Sequence, residues 1–87
     1  MQDPGPTHDD GALARIAEKI ETLTAWYAEQ IHAERRCPDP DPDRVQHLLA
    51  ERAACTTTLR DLPHATAAQL ARIEADYDVR LGEITGE

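Results

Sequence analysis

The chain has 87 residues, 17 acidic against 9 basic, with a formal net charge of −8 and a pI of about 4.8. That balance excludes direct contact with nucleic-acid phosphates, which need a basic surface, and an anionic membrane would repel it too. Large apolar residues are few, Phe is absent and no apolar run reaches membrane-spanning length, so the chain reads as soluble with a small core.

Residues 1–8 hold two prolines and a glycine among acidic and polar residues, the composition of a disordered tail and not of a signal or transit peptide. A first helix is predicted over 10–36, inside a helical domain spanning 9–87. Asp9 or Asp10 can cap it, and Arg35 and Arg36 suit its negative C-terminal end. Leu13, Ile16, Ile20, Leu23 and Tyr27, followed by Gln30 or Ile31, alternate by three and four, which is coiled-coil spacing. Such a stripe is buried only by another helix.

The joint that follows, "CPDPDPD" at 37–43, alternates prolines with Asp39, Asp41 and Asp43. Three carboxylates in D-x-D-x-D spacing open a calcium loop. That loop needs Gly at its sixth position and Glu at its twelfth, where this chain has Arg44 and Ala50. The prolines favour polyproline II, whose three-residue turn splays the carboxylates. The run therefore reads as a stiff acidic spacer, exposed to a basic partner.

A second helix is predicted over 43–61, with Asp43 as cap and Gln46 reaching back to complete a capping box. Val45, Leu48, Leu49, Leu59 and Leu62 form its apolar face. Between them "RAACTTT" is weak, because small and β-branched residues lower both packing and propensity. Pro63 breaks the pattern. Thr66 and Gln69 form another capping box, opening a third helix over 66–82 with Leu70, Ile73, Tyr77, Leu81 and Ile84 as its stripe. Asp76 and Arg80 are spaced for an i,i+4 pair, and Gly82 and Gly86 are stop signals.

The fold class is all-α: three amphipathic helices in an antiparallel hairpin or three-helix bundle. In the alternative, the second and third helices form one kinked arm against the first. Because the stripes exceed what one short bundle easily covers, dimerisation is expected to complete the core.

Chemistry is sparse. Cys37 and Cys55 lie too far apart along the helical frame for an intrachain disulfide, and read as free thiols in a reducing cytoplasm. His32, Cys37 and His47 fall near the hairpin apex and are acceptable zinc ligands, but their spacing matches no zinc signature. Glu29 and His32 form the E-x-x-H of a diiron bundle, yet they point away from the stripe and have no companion set. There is no serine nucleophile and no glycine-rich phosphate loop. One lysine against eight arginines, with no Asn, Phe or Ser, suggests a GC-rich bacterial source.

The expected function is a non-enzymatic protein–protein interaction module without cofactor: a regulator, adaptor or assembly factor acting as a homodimer. Leu23, Trp26, Tyr27 and Ile31 are the expected interface, since buried tryptophans often dominate binding. Asp39, Asp41 and Asp43 are the expected acidic surface. Two alternatives stand beside it: a metal-linked bundle using His32, Cys37 and His47, and an acidic inhibitor of a basic nucleic-acid-binding protein.

Overall fold

A computed structural model describes residues 10–86. Residues 1–9, which hold the expected tail and the Asp9 cap, lie outside the described residues, as do the Asp10 side chain and the terminal Glu87. Within them the chain is all-α: α1 spans Asp10–Arg36, α2 Pro42–Asp61 and α3 Ala67–Thr85, with a single 3-10 turn, Leu62–His64, between α2 and α3.

The ion pairs fix the directions of the helices. Arg15 pairs with Glu74 (2.6 Å), and Lys19 with both Glu74 and Asp78 (2.7 Å each). A step of one turn along α1 therefore matches one turn along α3, and the two helices run parallel. Glu34 pairs with Arg44 across the joint (3.3 Å), so α2 returns antiparallel to α1. The order is up, down, up. The third helix folds back onto the first, and the kinked-arm alternative does not hold. Both α2 and α3 pack chiefly on α1 and touch each other little.

α2 begins one residue earlier than the sequence suggests. Asp41, not Asp43, is the cap, and its carboxylate accepts from the Asp43 and Arg44 N–H groups (3.0 and 3.4 Å). The reason is Pro42: at the first helical position its fixed φ suits the helix and its missing N–H needs no partner. The Thr66–Gln69 capping box forms as read, with reciprocal bonds of 3.1 and 2.8 Å. α3 runs through Gly82 to Thr85, three residues beyond the expected end. Leu81 and Ile84 pack against the core there, which offsets the helix penalty of a glycine, about 1 kcal/mol. Gly86 takes φ 81°, the left-handed region, and its N–H closes the helix on the Gly82 carbonyl.

The main core is built from Ile16, Ile20 and Leu23 of α1, Cys55 of α2, Leu62 and Ala65 of the corner, and Leu70 and Tyr77 of α3. Ile31, Val45 and Leu48 are buried apart from it, nearer the joint. Matching Asp78 to Lys19, α3 ends near the level of Trp26. Nearly three turns of α1, and the facing start of α2, continue beyond it as a two-helix arm.

Among the described residues Val79 is the only large hydrophobic that is exposed, at 60%. Within the single chain Ile16, Ile20 and Leu23 are buried, while Leu13, Tyr27, Leu49, Leu59, Ile73, Leu81 and Ile84 keep part of their surface.

Candidate functional site

Three regions are candidates for a functional site: the joint, the aromatic edge of α1, and the seam between α2 and α3.

At the joint, Asp39, Asp41 and Asp43 are all exposed. Asp41 is occupied as the helix cap, and its own N–H donates to Glu34 (3.0 Å). Glu34 also holds Arg44, so it ties the joint to the end of α1. That leaves Asp39 and Asp43 as the outward carboxylates. His32, Cys37 and His47 are exposed too, and they are not drawn together: among the described residues no group of three His, Cys, Asp or Glu is placed to hold a metal ion. The Cys37 thiol donates to the Ala33 carbonyl (3.4 Å).

The four residues expected at an interface divide. Leu23 (0% exposed) and Ile31 (3%) are inside the single chain. Trp26 and Tyr27 are half-buried, with rings edge-to-face at 5.2 Å and 73°. Seven residues separate Trp26 from Lys19, two turns on one face, so Trp26 continues the edge of α1 that meets α3. Its indole N–H has no acceptor among the described residues. Tyr27 lies where the three helices approach one another. Burial raises its hydroxyl pKa first, and the nearby Glu51 raises it further.

Below Tyr27 a polar layer joins α2 to α3. Arg80 stacks over the Tyr77 ring (5.2 Å to its centroid) and pairs with Glu51 (3.7 Å) and with Asp76 (3.5 Å), the i,i+4 partner read from the sequence. The Tyr77 hydroxyl meets Thr58 and Cys55, and burial pushes it up to about 12. Cys55 is sealed in this layer, a small hydrophobe in a core.

Further toward the corner, α2 and α3 diverge around a groove of about 440 Å³. Thr57, Thr58 and Asp61 form one wall and Gln69, Arg72 and Ile73 the other, with His64 and Ala65 at the corner end. Gln69 is committed to its capping box, and Thr58 donates to the Ala54 carbonyl (3.0 Å). Thr57, His64 and Arg72 have no hydrogen-bond or ion-pair partner among the described residues. Asp61 pairs with Arg60 at 3.3 Å, in the open, and does not pair with Arg72 across the groove. Sequence reasoning missed this site. Its residues are scattered polar positions beside Pro63, and only the divergence of two helices brings them together.

No protein family, curated protein or solved structure matches the chain. No described helix is long and apolar enough to cross a membrane.

Proposed function

We propose that this chain is a small acidic, non-enzymatic helical interaction module, a regulator or adaptor that docks on a basic surface of another protein. The observation that carries this reading is the Trp26–Tyr27 pair. It is a half-exposed aromatic pair at one edge of α1, and its indole N–H has no acceptor among the described residues and is available to a partner. An aromatic with an apolar body and a free polar handle is the usual anchor of an interface. Asp39 and Asp43 add outward negative charge at the joint, which favours a basic partner and speeds its approach.

A second copy of the chain is the competing partner. Its net charge of −8 would be brought against an equal charge, which opposes self-association and favours a basic partner. The thiols support binding over catalysis: Cys55 is sealed in the core, and Cys37 bonds a backbone carbonyl instead of facing a base.

Co-purification of the intact chain from its native host, followed by mass spectrometry, identifies the partner. Trp26→Ala should weaken that complex by about 2 kcal/mol or more, roughly thirtyfold, while circular dichroism stays unchanged. Retention of the partner by a folded Trp26→Ala variant would overturn the reading. Sedimentation of a dilute sample as a dimer that Trp26→Ala dissociates would replace the basic partner with a second copy.

A further inference from the structure

The groove between α2 and α3 differs from the aromatic edge in place and in chemistry. Its two walls carry opposite charges, Asp61 on α2 and Arg72 on α3, and the two do not reach each other. Five of the chain's other basic residues, Arg15, Lys19, Arg44, Arg60 and Arg80, are each held by an acidic side chain. Arg72 lines the cavity and has no such partner among the described residues. Thr57 and His64 add a hydroxyl and an imidazole to the same cavity, both without a side-chain partner among the described residues, and Ala65 and Ile73 give it an apolar patch. The space, about 440 Å³, is of the size that holds a small ligand.

We propose that this groove binds a small zwitterion of the α-amino-acid class. The ligand carboxylate accepts from the Arg72 guanidinium, whose planar fork matches two carboxylate oxygens. The ligand ammonium donates to Asp61 on the facing wall. Thr57 and His64 supply further hydrogen bonds, and an apolar ligand side chain rests on Ala65 and Ile73. The chain's own charge selects the same class. A net charge of −8 repels a simple anion at long range, while a zwitterion with no net charge is not repelled.

The test is titration of the full chain with single L-amino acids carrying apolar side chains, followed by backbone amide NMR. Each amino acid is compared with its deaminated carboxylic acid and its decarboxylated amine. The expected result is saturable shifts at Thr57, Asp61, His64 and Arg72 and none at Trp26, with the zwitterion at least about tenfold tighter than either single-charge analogue. Arg72→Gln and Asp61→Asn, both exposed and therefore folded, should each weaken binding by about tenfold or more, whereas Arg36→Gln on α1 should leave it unchanged. No saturable shift in the groove with any amino acid up to millimolar concentration would overturn the proposal. So would equal binding of the deaminated acid, or binding indifferent to Arg72→Gln. None of these outcomes bears on Trp26, so the groove and the aromatic edge stand or fall separately.

Discussion

The two ends of the molecule are built from the same first helix but from different numbers of partners. At the corner end, α1 is flanked by both α2 and α3, and Ile16, Ile20, Leu23, Cys55, Leu70 and Tyr77 share one core. At the joint end only α2 faces α1, and Ile31, Val45 and Leu48 are buried between two helices. Nearly complete burial does not make the two ends equal. A side chain enclosed by three helices leaves a cavity when truncated, because its neighbours are held from several directions. One between two helices can be replaced by a small inward shift. The corner end is thus where stability resides, and the arm is where the chain can yield.

The sharpest way to break that comparison is a pair of equal truncations. Leu23→Ala should cost about 3–5 kcal/mol, a large share of what a domain of this size has. Leu48→Ala, buried to a similar degree, should cost about 2–3 kcal/mol. Urea unfolding followed by the single tryptophan reads both, and equal losses would erase the distinction. A smaller effect tests the arm alone. Asp41→Ala removes the α2 cap and should cost about 1 kcal/mol, with hydrogen exchange rising in the first turns of α2 and not in α3.

The smallest effect concerns the clamp at the corner end and depends on pH. Hydrogen bonds from Arg15 and then Lys19 hold the Glu74 carboxyl at about 2, below its ordinary 4.5. Between those values the unfolded chain binds the proton that the folded chain refuses. The contribution of Glu74 is therefore present above pH 4.5 and is lost as pH falls toward 2. Glu74→Gln should flatten that part of the stability profile. An unchanged acid limb in the variant would show that the clamp adds nothing at this exposed site.

How much of this was legible in the sequence differs by element. The three helices, the corner at Pro63 and the Thr66 box were legible because spacing and capping are local. The cap at Asp41 was misread as Asp43, since both aspartates precede plausible starts and only the preference of Pro42 for the first helical position separates them. The end of α3 was misread because Gly82 signals a stop locally, while Ile84 is held by tertiary packing. Of the residues expected at an interface, Trp26 was legible on the edge of the α1 stripe, but the burial of Leu23 and Ile31 depends on how α2 and α3 pack against α1. The groove was invisible: Asp61, His64 and Arg72 share no period, and they meet only because α2 and α3 lean apart.

The position of α1 between its two neighbours has a consequence for tolerance to mutation. Its inward positions answer to α2 on one side and its Arg15 and Lys19 edge answers to α3 on the other, so a change on either side is felt by a different partner. α3 presents Ala68, Ala75 and Val79 as exposed residues. The chain's freedom to vary is therefore concentrated late in its sequence, and its first helix is the segment with the least room to drift.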